Sequence, residues 1–594
     1  MSVTNFRRLI LPILLLALVL MSGLMTACDN GQTPEPETTS AAIEDVTTAP
    51  TTTSNEETTA PAESPTEPEA SSAEAEDTST EPNETTEEEV TTEAVTDVMN
   101  GEVLDAPLAT AFTVSNVFSN DMVVQRGEHI RVWGWADESQ NGKKVCGEFK
   151  GVTAEALIEN GEWVLTFGMR LPASAEMGHS MRIYADGAEY VFENVLVGDV
   201  YFVMGQSNTE YNVSTNISVN GGTIDESLPI RLHYDSAGLY DESYYPAAGT
   251  AEEAREIVGS SRWELPTAAN AGRFSAIGYC FATEMLKASD GTIPVGLIQF
   301  SLSGRPLGSF LPNEVAEAFK ADKWDDSLGY YVCEALGNHH ARYIYNCFIN
   351  PFEGYAMAGM IWYQGESDCV WNSAKDYNDR FAALVEHLRS QQNLVNRNFP
   401  VYVMEFPTIY DGSFDYGMIR SIMGNIPNVV PNSYFIASSD LSTNVTAESH
   451  WQLHPHIKHL QAKRLATLVQ SLNGLSNKTL DEVSGPRLVS AVWGEDKKTV
   501  ILTYENVGEG LMTCDGSDIV KGFGLARSNY LLITGKTVEA RITAPNQITV
   551  TAPISIQAVT YNANASYFYG TTLNLCNSYG QIAPAVSMVV TEAE

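Results

Sequence analysis

The stretch GDVYFVMGQSNTEYN, Gly198–Asn212, decides the fold. Val200–Met204 is an unbroken apolar run, the pattern of a strand covered on both faces, because parallel sheets lose the polar alternation of half-exposed ones. Gly205 then turns the chain and Gln-Ser-Asn follows. In open α/β sheets ligands bind beyond the carboxyl ends of the strands, so this reading puts Ser207 at the mouth of the crevice. Ser and Asn after a strand also serve as helix caps, and this stretch taken alone does not separate the two roles.

Outward from it, residues 199–475 alternate apolar strands with helical periodicity. YFVM, IPVGLIQF, AGMIWY, FPVYVMEF and SYFIAS are the strand candidates. Tyr377, Phe381, Leu384, Val385 and Leu388 share one helical face, and Ile457, Leu460, Leu465 and Leu468 another. Alternation of this kind predicts a parallel sheet with helices on both faces. On either side the texture is all-β. HIRVWGWA, KVCGEFKG, GEWVLTFGM, SMRIYADG and YVFENV within 107–198 predict a small β-sandwich, and RLVSAVW, TVILTYE, ARITA, QITVTA and AVTYNA within 476–594 predict a second.

The N-terminus differs from all of this. Residues 1–28 carry Arg7 and Arg8, a long apolar run and small residues before Cys28, the layout of an export signal. A lipid on Cys28 would tether the chain to a membrane without spanning it, which places the folded part on the outer face of a bacterial membrane or, after ordinary cleavage, in the medium. Residues 29–106 are rich in Thr, Glu, Pro, Ser and Ala and too poor in large apolar side chains to offset ordering entropy, so they read as a disordered acidic stalk. Asp29–Asn100 holds 20 acidic residues and no Lys or Arg, which accounts for much of the formal charge of −41. The chain from residue 101 onward has 55 acidic residues against 32 basic ones, so nothing in it attracts a polyanion and nucleic-acid binding is excluded as a role. Seven cysteines follow Cys28 without metal-finger spacing, which argues against a structural zinc site and a dense disulfide framework.

Three more stretches fall at or just beyond strand ends in the central region: SLSGRPLGSF (Ser301–Phe310), WYQGESD (Trp362–Asp368) and LHPHIK (Leu453–Lys458). Taken together they set a serine, a histidine, an acid and backbone donors at one end of one sheet. Acyl transfer needs that set: a nucleophile, a base, an orienting group and an oxyanion hole.

On these residues the chain resembles the sialate O-acetylesterase family, a branch of the SGNH hydrolases. GDVYFVMGQSNTEY is similar to its GQSN block, IWYQGESD to its WYQGES block and HPHIKHLQAKRLA to its histidine block. FSNDMVVQRGEHIRVWGWA, RFSAIGYCFATEM, YNCFINPF and ITAPNQITVTAPISIQAVTYNANA extend the similarity over Pro107–Ala585. The resemblance implies an SGNH-type, flavodoxin-like α/β fold. By position it makes Ser207 the nucleophile and His454 the general base, with Ser207, Gly304 and Gln364 forming the oxyanion hole. G-x-S-x-G is absent, since Thr209 occupies its last position, so an α/β-hydrolase elbow is disfavoured.

Two departures stand out. Leu302-Ser303-Gly304 replaces the family's frequent Trp-Gly-Gly, and Gln452 stands where an Asp often precedes the histidine. The orienting acid is therefore open among Glu366, Asp440 and Glu448, with Glu366 preferred because it leaves the same strand end as Gln364. The implied activity is hydrolysis of acetyl esters on sugars through an acetyl-serine, chemistry that needs no metal or organic cofactor. The competing reading is a glycan-binding surface lipoprotein with a vestigial site. Pro455 suits a first helical position, which puts His454 near a positive helix end, disfavours its imidazolium and predicts a rate that rises across roughly pH 5–8.

Overall fold

In the computed structural model, residues 104–593 are described, apart from 235–238, 240–253, 258, 260–261, 326–329, 334–339, 392–396, 407–415, 442–452, 528–537, 553 and 564–572. The expected signal peptide, Cys28 and nearly all of the acidic stalk lie outside the described residues, as do Glu448 and Gln452. No helix among the described residues is long and apolar enough to cross a membrane.

The central strand is β1, Leu196–Gly205, and all ten of its residues are buried. Around it run β2 (Ile230–His233), β3 (Trp263–Glu264), β4 (Val295–Ser301), β5 (Gly359–Tyr363), β6 (Val401–Met404) and β7 (Ser433–Ile436). Their order across the sheet is β3-β2-β4-β1-β5-β6-β7, and Val123–Gln125 pairs alongside the start of β1 as an eighth strand. Every pairing is parallel except that of the short edge strand β3 with β2. β1 lies between β4 and β5, so the chain leaves it toward one edge and later returns to its other side. That reversal opens a crevice beyond the carboxyl end of β1.

Paired residues of a parallel sheet share a face, which sorts the helices. Tyr201 and Val203 of β1 face α3 (Ala276–Ala288): Phe281 meets the Tyr201 ring edge-on at 4.8 Å, and Gly278 sits against Val203. Trp362 of β5, in register with Met204, points to the opposite face, where Phe381 of α4 (Tyr377–Gln391) packs at 5.1 Å. Tyr377, Phe381, Leu384, Val385 and Leu388 of α4 are all buried, as their spacing predicts.

The last helix of the domain, α6 (Lys458–Leu472), packs on α3, with α5 (Tyr416–Met423) preceding it in the chain. Here the expected apolar face is corrected. Leu465 and Leu468 are buried, but Leu460 is 40% exposed and the inward row begins with Lys458 and Gln461. The helix starts at Lys458, three residues past Pro455, and its first turn faces the polar end of the sheet rather than the core.

The flanking modules are built from antiparallel sheets. In the N-terminal one, a three-stranded sheet (Thr113–Val114, Arg131–Trp135, Glu162–Thr166) accompanies a four-stranded one (Lys144–Phe149, Val152–Leu157, Met181–Ala185, Ala188–Phe192). Glu162–Thr166 alternates exposed and buried residues, as a strand with one solvated face must. β1 starts at Leu196 and so runs across residue 198, and the apolar core is continuous from this module into the central sheet. The C-terminal module has its own core, between a four-stranded sheet (Arg487–Trp493, Thr499–Glu505, Gln547–Thr551, Ala540–Ala544) and a three-stranded one (Phe523–Ala526, Ala558–Tyr561, Val586–Val589). All seven cysteines among the described residues are free thiols.

Glu405, fully buried just beyond β6, joins the C-terminal module to the sheet. Its Oε2 accepts the N–H groups of Ser438 (2.7 Å) and Ser439 (3.1 Å), and its Oε1 accepts Ala585 N–H (3.0 Å) and Asn562 Nδ2 (3.4 Å). Glu405→Leu strands those buried donors, each at about 1–3 kcal/mol, so a loss of several kcal/mol is expected. Urea unfolding of the variant should show a lowered midpoint; an unchanged midpoint would mean the junction does not depend on this carboxylate.

Candidate active site

The handover from strand to helix at Ser207 depends on Gly205. Its φ is +151°, and a Cβ there would lie 2.1 Å from the carbonyl oxygen of Tyr363 on β5. With no side chain in the way, β1 and β5 stay close to their ends, and Thr209 Oγ1 donates to Tyr363 O at 2.8 Å. Ser207 then opens the short helix α1 (Ser207–Glu210), followed by α2 (Val213–Asn220). As the first residue of a helix, Ser207 has an N–H without an intrahelical acceptor.

Asn208, buried beside it, makes the decisive contacts. Its Nδ2 donates to Glu366 Oε1 (2.5 Å) and to the carbonyl oxygen of Leu453 (2.9 Å), while its Oδ1 accepts from Lys458 Nζ (2.7 Å). One side chain thus brings together the end of β1, the segment after β5 and the residue preceding His454. The histidine loop is clamped twice more: Tyr211 OH meets His456 Nδ1 at 2.6 Å, and Asn220 Nδ2 donates to His456 O at 2.6 Å. The segments that carry Ser207, Glu366 and His454 therefore meet at Asn208, although among the described residues no hydrogen bond joins Ser207 to His454 or Glu366 to His454. Glu366 Oε2 and His454 Nε2 are both buried without a partner among those residues.

The loop after β4 carries Gly304 at φ +72°. Just before it, the N–H and hydroxyl of Ser303 both donate to Glu210 Oε2, at 2.9 and 2.6 Å. The hydroxyl that replaces a glycine of the family's usual pattern thus pins this loop to α1. Nothing in the local sequence marks Glu210 for this role, since its partner lies on the loop after β4.

Gln364 is placed differently from the role the resemblance implies. It is fully buried, and its Nε2 donates to Asp368 Oδ2 (2.7 Å), Arg305 O (3.1 Å) and Gln206 Oε1 (3.2 Å), while its Oε1 accepts from Tyr377 OH (2.7 Å). An amide has two N–H donors, and both are committed. The residue braces the loops after β1, β4 and β5 and offers no spare donor to an oxyanion. Asp368 is its partner, accepting also from Leu307 N–H at 2.9 Å and from Ser373 Oγ. Asp440, another candidate acid, is taken by a bidentate pair with Arg464 at 2.7 and 2.6 Å.

Burial sets the ionisation of the site. The Glu366 carboxyl is pushed up to about 7 by desolvation, against the opposing pull of the Asn208 hydrogen bond and the Lys458 charge. Lys458 is pushed down to about 7, again mainly by desolvation. His454 is pushed down to about 4 by burial first, then by the charges of Lys458 and His456. The expected direction for His454 holds, but its cause is burial and the nearby Lys458 and His456, since Pro455 does not begin the helix. With the ring pushed down to about 4, the rise in rate expected from its deprotonation moves below pH 5–8.

The family model described as "Carbohydrate esterase, sialic acid-specific acetylesterase" matches residues 197–470, the span that contains every residue of this site. Residues 197–470 belong to this family. The acetylesterase domain is that of a carboxylic-ester hydrolase. The human sialate O-acetylesterase is 27% identical over 387 residues, which cover 61% of this chain and 71% of the relative. The mouse sialate O-acetylesterase is 24% identical over 313 residues, 46% of this chain and 56% of the relative. A carbohydrate acetylesterase from Xanthomonas citri shares the fold at a TM-score of 0.61 and 20% identity, covering 80% of this chain and 99% of its own.

A histidine whose folded value lies below its unfolded one favours the neutral form, so its contribution to stability is complete above the unfolded value and lost as pH falls toward the folded one. For His454 that window runs from about 6.5 down to about 4. NMR titration of its ring should give a midpoint near the lower end; a midpoint near 6.5 would show that burial does not govern it.

Proposed function

We propose that the protein is a carbohydrate O-acetylesterase that removes acetyl groups from sugars through an acetyl-serine intermediate. The observation that carries this reading is the Asn208 junction, which gathers the Ser207, Glu366 and His454 segments at the carboxyl end of β1. In the proposed reaction Ser207 Oγ attacks the acetyl carbonyl while neutral His454 takes its proton. The N–H groups of Ser207 and Gly304 receive the oxyanion; no hydrogen bond occupies the Gly304 N–H among the described residues. The sugar hydroxyl leaves with the proton returned by His454, and water, activated by the same ring, releases acetate and frees Ser207. Stabilising the oxyanion and transferring the proton supply most of the acceleration in such sites.

Sialic acids and acetylated plant polysaccharides such as xylan or pectin are the substrate classes to compare. Lipidation at Cys28 and the acidic stalk would hold the domain at the outer face of the membrane, where such polymers arrive.

Acetate release from a panel of acetylated sialic acids, xylans and pectins tests the reading. Ser207→Ala and His454→Ala are expected to lower turnover by roughly six orders of magnitude with folding intact. Near wild-type turnover in either variant would remove the assignment, and a wild-type protein that binds these glycans without releasing acetate would favour the binding lipoprotein. Glu366→Gln should cost roughly two to four orders of magnitude. Asp440→Asn, which touches only the Arg464 pair, should leave turnover within a fewfold of wild type; the reverse ranking would move the acid role to Asp440.

A further inference from the structure

Lys458 opens α6 with its side chain fully buried, a place where lysine is rarely found without a partner. Its Nζ sits 5.3 Å from the centre of the Tyr211 ring and 5.1 Å from that of Tyr363, and it donates to Asn208 Oδ1 at 2.7 Å. An ammonium has donors only, so it must face the oxygen of the Asn208 amide. That choice turns Nδ2 the other way, toward two acceptors, Glu366 Oε1 and Leu453 O. Glu366 Oε1 and Leu453 O call for the same orientation from the other side, and without the lysine the buried Oδ1 would lose the donor that holds the amide in place.

We propose that Lys458 is the positioning residue of this site: its bond to Oδ1 anchors the Asn208 amide, and Asn208 in turn holds the histidine loop and Glu366 beside Ser207. The proposal rests on the esterase reading above and deepens it. Lys458 touches no reacting atom in that reading and acts through Asn208. Its charge also bears on His454, which it helps keep neutral. The titratable groups around Lys458 and His454 are Glu366 after β5, Tyr363 within β5, Tyr211 after α1 and His456 on the histidine loop itself.

The alternative is that Lys458 serves only to balance the buried charge of Glu366, which would affect stability and not the reaction. Lys458→Met and Asn208→Asp separate the two. The carboxylate introduced by Asn208→Asp would still accept from Lys458 but would lack the donor that Leu453 O and Glu366 require. Each variant is expected to lower kcat about 100-fold with KM within about threefold, the cost of a small misplacement of catalytic groups. Because both cut one relay, the double variant should lose no more than the worse single one. In Lys458→Met the His454 ring titration should rise from about 4 toward the ordinary imidazole range.

Wild-type kcat in Lys458→Met with an unmoved His454 titration would overturn the proposal, and so would losses that multiply in the double variant. If Lys458→Met does not fold, Asn208→Asp decides alone: unchanged kcat overturns the proposal. If the wild-type protein releases no acetate from any acetylated sugar, the esterase reading fails separately. The His454 titration in Lys458→Met still decides whether the lysine governs the histidine.

Discussion

Complete burial of β1 is the constraint from which the rest follows. A strand with all ten residues out of water needs cover on both faces, and α3 on one side and α4 on the other provide it. The same burial carries over to the turn beyond the strand, where Gln206, Asn208 and Thr209 are buried. Each polar group there must find a partner within the protein or remain at a cost of a few kcal/mol. Gln206, Asn208, Gln364, Glu366, Asp368 and Lys458 are all buried, and all have at least one such partner. The polar network is thus what the buried sheet requires at its open end, and the chemistry is set into it.

Within that network the acid and the ammonium are not in direct contact. Glu366 and Lys458 bond to opposite ends of one amide, so Asn208 carries the interaction between them. A direct ion pair would be insensitive to which carboxylate oxygen or which N–H it used. An amide interposed between donor and acceptor has a direction, and the direction is what extends the order to Leu453 O and the residue after it. Desolvation works against both charges, raising Glu366 and lowering Lys458 to about 7. The arrangement makes sense as positioning rather than as a source of stability, since buried pairs rarely repay their desolvation.

The central sheet was legible because its strands are short apolar runs with turn residues at their ends, and α4 because five apolar residues fall on one face. The site residues were legible as blocks at strand ends. Their mutual contacts were not. Periodicity assigns Lys458 and Gln461 to solvent and Leu460 to the core, whereas the structure does the opposite, since that turn of α6 borders a polar interior. Glu210 escaped notice because its partner Ser303 lies 93 residues away. Gln364 was assigned to the oxyanion hole by position in a motif, and motif position says nothing about how many acceptors surround an amide. Glu405 carries no signal inside FPVYVMEF, because its partners come from the turn after β7 and from the C-terminal module, far along the chain.

The unmet hydrogen-bonding capacity of the crevice is concentrated where the proposed chemistry needs it. Gln364 has all its capacity spent on neighbouring loops, and Asn208 is occupied at both ends. His454 Nε2 and Glu366 Oε2, by contrast, are buried and unpartnered among the described residues. A ring nitrogen whose bonding capacity is taken up by the protein would have to give up that bond before taking a proton from Ser207. Polar groups kept ready for chemistry in this way need rigid packing around them. Here that rigidity is supplied by the close approach of β1 and β5 at Gly205 and by the three side chains that clamp the histidine loop.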